Sequence, residues 1–166
     1  MKRLAPIALA ALFLGGGCFG YRLGSSLPAG IRTIHVPTFR NQTSDPLIEA
    51  QATLSAIQEF QKDGTLKVVE AAEADVRLDV KLIAVELWAV SHERDSSRTI
   101  NEYRLRMDAE VVIVRSRTNA ELLRRTVKGD TLFQPTGDLT LDKRNATPKA
   151  TENLAHQIVQ TVVEFW

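Results

Sequence analysis

The residue with the most distinctive chemistry is Cys18, the only cysteine of the 166-residue chain. It follows an apolar run over residues 4–14 and three glycines over residues 15–17. A catalytic thiol needs a positioned histidine in a folded site, whereas Cys18 lies in a glycine-rich segment. In an oxidising compartment structural cysteines come in pairs, so a single cysteine needs another explanation. These observations favour covalent modification of Cys18 over catalysis.

The segment before Cys18 has the pattern of a secretory signal peptide. Lys2 and Arg3 give it a positive start, and the apolar run that follows is too short to span a membrane. A buried core helix is the alternative, but the basic start and the glycine stop disfavour it. We therefore predict a signal peptide over residues 1–17.

Small residues directly before a cysteine resemble a bacterial lipobox, in which the cysteine is lipidated and becomes the first mature residue. The usual lipobox has leucine three residues before the cysteine, where this chain has Gly15. Phe19 follows the cysteine, and by the same resemblance a residue other than aspartate there favours the outer membrane. We predict a lipid anchor at Cys18 and a tether over residues 18–30, because several acyl chains together hold a protein stably on a membrane.

Other reactive side chains are not spaced for catalysis or metal binding. The sequence has no serine–histidine–aspartate arrangement and no glycine-rich phosphate loop after a strand. Its acidic residues alternate with basic ones along the later strands, which is typical of solvated cross-strand ion pairs. The histidines form no cluster at ligand spacing; they are His35, His92 and His156. We expect no enzymatic activity, no metal and no cofactor.

A set of basic residues remains as the candidate binding chemistry. Arg104 and Arg106 alternate with apolar residues, so they project from one face of a strand. Two interpretations stay open, a solvated face of mixed charge and a platform for a polyanion, whose phosphates arginine binds with two hydrogen bonds. The set is Arg77, Lys81, Arg104, Arg106, Arg124 and Lys128, with the face of Arg77 and Lys81 depending on register.

Composition limits the class of protein. The chain is 44% apolar and 25% charged, which indicates a folded domain with a sizeable core. The formal net charge of +1 is too low to indicate a nucleic-acid-binding surface. The length suits one domain, which we place over residues 31–166.

The first half of this domain is predicted to contain a strand, a helix and a second strand. The strands cover residues 31–36 and 65–70. Asp45 is the expected N-cap of the helix, with Pro46 at its first position, and Gly64 ends it. Apolar residues at three- and four-residue spacing predict the buried face of this helix; they are Leu47, Ala50, Leu54, Ile57 and Phe60.

The second half is predicted to contain three long strands and a closing helix. The strands cover residues 74–90, 102–116 and 122–133, with a polar hairpin loop over 91–101. Along the first of these strands, the apolar residues move from even-numbered to odd-numbered positions at Ile83. This shift indicates a β-bulge or a change in what covers the strand. Residues 134–148 are expected to form a loop, and the helix over 148–164 to begin at Thr147 and Pro148. Its buried face is predicted to hold Ala150, Leu154, Ile158 and Val162.

The order β-α-β-β-β-β-α, with long adjacent hairpins, indicates an α+β fold. Two amphipathic helices are enough to cover only one face of such a sheet. We predict a two-layer sandwich with a mixed, mostly antiparallel sheet, both helices on one face, and a polar, partly basic face opposite.

Several segments together resemble the lipopolysaccharide-assembly lipoprotein family (LptE-like). They are "FGYRL" after the cysteine, "LPAGIRTIHVPTFRNQT", "AEADVRLDVKL", "NEYRLRMDAEVVI" and "ATENLAHQIV", in this order over nearly the whole mature chain. The resemblance implies a plug inside a large outer-membrane β-barrel, the lipopolysaccharide-assembly protein. It implies a role in assembling that barrel and in delivering lipopolysaccharide to the outer leaflet, and it carries over no catalytic residues.

Under this resemblance the predicted partners are the barrel, lipopolysaccharide and the outer membrane, and nucleic acid is not among them. The basic residues would then meet the phosphates of lipid A and the inner core. A free-standing envelope lipoprotein that binds a ligand or scaffolds another machine is the alternative.

Overall fold

The computed structural model describes residues 30–90 and 102–166 of the chain. The predicted signal peptide, Cys18 and the predicted hairpin loop with His92 lie outside this part. The strands are β1 (Thr33–His35), β2 (Arg40–Asn41), β3 (Lys67–Val68), β4 (Val76–Val90), β5 (Glu102–Arg115) and β6 (Glu121–Phe133). The helices are α1 (Ile48–Asp63) and α2 (Leu139–Glu164), with a 3-10 turn over Ala71–Glu73.

All six strands belong to one sheet, in which β3, β1, β4, β5 and β6 follow one another and β2 also pairs with β4. The short strands run parallel to their neighbours, and β4, β5 and β6 are antiparallel. α2 lies against β5 and β6, and α1 packs beside α2 and against β2 and β3. The predicted two-layer α+β sandwich is confirmed. No helix in the described ranges is both long and apolar enough to cross a bilayer.

Alternation along β5 places the core as expected. Leu105, Met107 and Ile113 are fully buried under the helices. Between Leu105 and Val111, polar residues alternate with the apolar ones and point to the other face of the sheet. Helix and sheet approach very closely at one point. A Cβ added to Gly129 of β6 would lie 2.4 Å from the Cα of Leu154 in α2, so only glycine fits there.

The predicted phase shift in the first long strand is confirmed as a bulge. The pairing of β4 with β5 slips between Leu82 and Ala84, and the extra residue, Ile83, is exposed. Beyond it, Val85 and Leu87 take over the inward positions and pack against the core.

The start of α1 differs from the prediction. Asp45 is not its N-cap; Leu47 holds that position in the left-handed region (φ 66°), with no capping hydrogen bond from a side chain. The carboxylate of Asp45 instead pairs with Lys143 of α2 at 2.7 Å. A tertiary ion pair therefore replaces the local cap. The predicted end is confirmed, because the N–H of Gly64 donates to the carbonyl of Phe60 at 3.0 Å.

The predicted buried face of α1 is mostly wrong. Leu47 and Leu54 are 77% and 60% exposed, Ala50 is exposed, and of the predicted set only Phe60 is fully buried. The helix turns a neighbouring face of smaller residues inward, which are Ile48, Ala52, Thr53 and Ala56 together with Phe60. On this face, the hydroxyl of Thr53 accepts the backbone N–H of Phe39 at 2.9 Å.

Helix α2 begins nine residues earlier than predicted, and Pro148 lies inside it. Asp138 is the N-cap, and its carboxylate accepts the N–H groups of Thr140 and Leu141. A proline inside a helix removes one backbone bond, yet the hydroxyl of Thr147 donates to the carbonyl of Lys143 at 2.8 Å next to it. The predicted inner face is confirmed, since Ala150, Leu154, Ile158 and Val162 are buried.

The motif "FRNQT" has a structural role at the entry to α1. The amide nitrogen of Asn41 donates to the carbonyl of Asp45 at 2.7 Å and to the carboxylate of Glu49 at 2.9 Å. Its oxygen accepts the backbone N–H of Thr43 at 2.8 Å. One side chain thus fixes the turn between β2 and α1.

The aspartate of "ADVRL" joins the starts of two strands. Asp75, directly before β4, accepts the backbone N–H groups of Arg32 and Thr33 at 2.9 and 3.1 Å, together with the Thr33 hydroxyl. These hydrogen bonds, led by that from Arg32, hold the pKa of Asp75 below its ordinary value. Asp75 therefore pins β1 beside β4 in its charged form.

Candidate functional site

The six predicted basic residues do share a surface. Each projects from β4, β5 or β6 on the side away from the helices, as the strand register and the alternation of buried residues require. We call this side of the three long strands the open face. It carries Arg77, Lys81, Arg104, Arg106, Arg124 and Lys128.

One group of charges on the open face centres on Glu110. Its two carboxylate oxygens lie 3.1 Å from Nζ of Lys81 and 2.9 Å from Nη1 of Arg124. Arg124 also pairs with Glu121 at 2.6 Å. Hydrogen bonds from Lys81 and then Arg124 lower the pKa of Glu110, and those to Glu121 and then Glu110 raise the pKa of Arg124. Glu110 and Arg124 therefore face each other as charged groups near neutral pH.

A second group centres on Arg106. Its guanidinium lies 3.1 Å from the carboxylate of Glu86, across the strand pair, and 4.4 Å from the ring centroid of Trp88. Nη2 of Arg106 donates to Oδ2 of Asp108 at 3.3 Å, and Nε of Arg106 lies 2.9 Å from Oδ1 of the same carboxylate. Arg106 is thus held by two carboxylates and an aromatic ring.

The other basic residues of the open face differ in their pairing. Arg77 makes a two-pronged contact with Asp79 at 2.9 and 3.0 Å, which raises the pKa of Arg77. Arg104 lies 3.3 Å from Asp130. Lys128 has no ion pair with any residue in the described part of the chain.

Five of the six basic residues are therefore neutralised by carboxylates of the same face. An incoming anion has to compete with partners that are already in place. The structure gives the open face the character of mixed charge, and anion binding there stays a prediction.

A groove that the sequence did not indicate lies where both helices begin. It has a volume of about 750 Å³, within the usual ~300–1,000 Å³ of ligand pockets. The second half of β4 forms one wall, and the first turns of α1 and α2 form the others. We call it the distal groove. Its apolar lining consists of Pro46, Leu47, Ile48, Val85, Leu87 and Leu139.

Two cations stand in the lining of the distal groove. Lys143 is bound to Asp45, whereas Arg144 is exposed and has no ion pair within the described residues. An apolar channel next to a guanidinium suits a ligand with a hydrocarbon part and an anionic part. Sequence reasoning missed this site because it assigned residues 139–147 to a loop.

The described histidines form no site. Nδ1 of His35 lies 3.2 Å from the carbonyl of Val69, and Nδ1 of His156 lies 2.9 Å from the carboxylate of Glu59. Over residues 30–90 and 102–166, no three histidine, cysteine or acidic side chains are arranged to hold a metal ion.

The fold and these surfaces define a two-layer α+β domain with a charged sheet face and an apolar groove beside its helix starts. The chain belongs to the LptE family, described as lipopolysaccharide-assembly, whose family model matches residues 31–163. The resemblance of the sequence segments is thereby confirmed. Among curated proteins no significant match to the chain is found.

Solved structures share the fold at low sequence identity. A hypothetical protein from Chlamydia trachomatis matches with a TM-score of 0.58 and 10% identity, covering 81% of this chain and 97% of its own. A protein from Xanthomonas campestris matches with a TM-score of 0.56 and 11% identity, covering 86% of this chain and 90% of its own. A minor lipoprotein from Acinetobacter baumannii matches with a TM-score of 0.53 and 10% identity, covering 80% of this chain and 93% of its own. These likenesses describe the architecture alone.

Proposed function

We propose that this protein is an outer-membrane lipoprotein of lipopolysaccharide assembly, anchored through Cys18. It docks with the lipopolysaccharide-assembly β-barrel, aids the assembly of that barrel and helps deliver lipopolysaccharide to the outer leaflet. The observation that carries the proposal is the family match over residues 31–163, which spans nearly the whole described domain.

The distal groove supports direct contact with lipopolysaccharide. The lipid part of that molecule combines acyl chains with phosphates, and the groove combines an apolar lining with Lys143 and Arg144. Burial of hydrocarbon contributes about 25 cal/mol per Å², and arginine is well suited to phosphate. The groove therefore supplies both kinds of contact within one site.

A binding measurement with purified lipopolysaccharide tests the groove. The variant with Leu47→Ser and Leu139→Ser removes apolar surface at the exposed rim and should bind about tenfold more weakly, since two leucines that a ligand covers only in part supply about 1.4 kcal/mol of apolar contact. Leu54→Ser is the control for exposed apolar surface, because this leucine of α1 is 60% exposed but lies outside the groove. Equal affinity of all three proteins would reject the groove as the contact.

The predicted contact of the open face with lipopolysaccharide needs a different control. Changing Arg104, Arg106 and Arg124 to serine should weaken binding and reduce its salt dependence. The change also frees carboxylates that repel an anion, so a second variant removes one carboxylate with each arginine, which are Asp130 with Arg104, Glu86 with Arg106 and Glu121 with Arg124. Loss in both variants supports a role of the arginines, and loss in the first alone assigns the effect to the freed carboxylates.

A further inference from the structure

The outer edge of β6 is the longest strand edge left without a neighbour among the described residues. β6 ends the sheet on one side and runs over Glu121–Phe133, whereas β3 on the other side spans only two residues. An unpaired edge offers a row of backbone donors and acceptors to another strand. Whether another strand can pair with β6 depends on which of its backbone groups point outward and which are covered.

The hydrogen bond of Asp130 shows the direction of the backbone groups. Its N–H donates to the side-chain oxygen of Asn153 in α2 at 3.1 Å, so it points away from β5. Direction alternates along a strand, so the N–H groups of Lys128 and Thr126 also point outward, and those of the residues between them face β5. The edge therefore presents a regular row.

Helix α2 closes only one end of this row. Asn153 covers the edge at Asp130, and α2 contacts the strand directly at Gly129. Toward the start of the strand, four side chains over residues 124–128 are exposed. We call residues 124–128 the edge segment; its sequence is RRTVK.

The positive charges of the edge segment determine which kind of strand can pair with it. Arg125 and Lys128 have no ion pair with any described residue. A second copy paired antiparallel about Thr126 would set Arg124 against Lys128 across the junction, and like charges placed opposite each other destabilise a pair of strands. The cations thus disfavour a second copy in this register, and they attract a strand that carries carboxylates.

We propose that the edge segment binds an extended acidic strand of a partner protein by β-augmentation. The outward N–H and carbonyl groups of Thr126 and Lys128 form the ladder with the added strand. Carboxylates of that strand meet Lys128 on the open face and Arg125 on the helix side, since Arg125 stands opposite Val111. This interaction is separate from the distal groove and does not depend on lipopolysaccharide.

The test uses the full chain in non-ionic detergent and a capped synthetic peptide in which pairs of adjacent glutamates alternate with valines, so that carboxylates lie on both faces of the added strand. Binding is followed by fluorescence anisotropy of the labelled peptide, and amide exchange at Thr126 and Lys128 by NMR. We expect binding at low salt with slower exchange at both amides. A peptide with lysine in place of every glutamate should not bind.

Thr126→Pro removes one outward N–H, a change that an edge strand tolerates because no bond within the sheet uses it. It should weaken the valine–glutamate peptide about tenfold, whereas Thr126→Ala should bind as wild type does. The double variant Arg125→Glu with Lys128→Glu should bind the lysine peptide instead. No binding of the acidic peptide, or binding without slower exchange and insensitive to Thr126→Pro, would overturn the proposal.

Discussion

Asp75 shows how one side chain of this protein couples charge to the fold. Its carboxylate is bonded to backbone groups of Arg32 and Thr33, so the charged form holds two strand starts together. A carboxyl group with a lowered folded pKa stabilises the protein above its unfolded pKa of about 3.9, and this contribution is lost as the pH falls through the folded value.

Asp75→Asn removes this titration. Wild type should lose unfolding free energy more steeply than the variant as the pH falls below about 4, because only wild type must protonate this group. Urea unfolding at a series of pH values between neutral and acidic measures the difference. Parallel acid limbs for the two proteins would show that Asp75 is not held in its charged form.

Cys18 is the residue on which the proposed membrane anchor depends, and it lies outside the described structure. Cys18→Ala should leave unprocessed precursor or a soluble form, because no thiol remains to be acylated. Mass spectrometry of the wild-type mature protein should show an acylated N-terminal cysteine. An unmodified thiol at this residue would refute the anchor.

At the scale of elements, the long strands were predictable because apolar and polar residues alternate along much of β4, β5 and β6. The helix boundaries were harder. Pro148 looks like a helix start in the sequence, but the true cap is Asp138, and the proline is accommodated where Thr147 bonds to a neighbouring carbonyl. The buried face of α1 was not predictable, because a leucine stripe and an alanine stripe have the same period and tertiary packing selects between them.

Two leucines, one on each helix, test which faces of α1 and α2 are buried. Leu154→Ala opens a cavity under α2, where the side chain is fully buried, and should cost about 2–5 kcal/mol of unfolding free energy. Leu54→Ala should change it by less than about 0.5 kcal/mol, since Leu54 is exposed. Chemical denaturation of both variants gives the comparison. A large cost at Leu54 would restore the face predicted from the sequence.

At the scale of the whole molecule, the sequence placed most of the basic residues on one face, left the face of Arg77 and Lys81 open, and did not reveal which carboxylate each residue pairs with. The alternation of Arg104 and Arg106 with buried residues is local, so it was predictable. The pairing of Arg124 with Glu110 depends on strand register, and the distal groove depends on where two helices start. Both arise from contacts between elements distant in sequence.

Because the chain belongs to the LptE family, a complex with the lipopolysaccharide-assembly β-barrel is the interaction that the proposed function most requires. The most direct measurement is purification of the tagged full chain from outer membranes of the organism that produces it, followed by identification and quantification of what is bound. We predict a stoichiometric complex with the lipopolysaccharide-assembly β-barrel, and poor assembly of that barrel when the chain is depleted. A lipidated chain recovered without the barrel, with normal barrel levels after depletion, would contradict the proposed function.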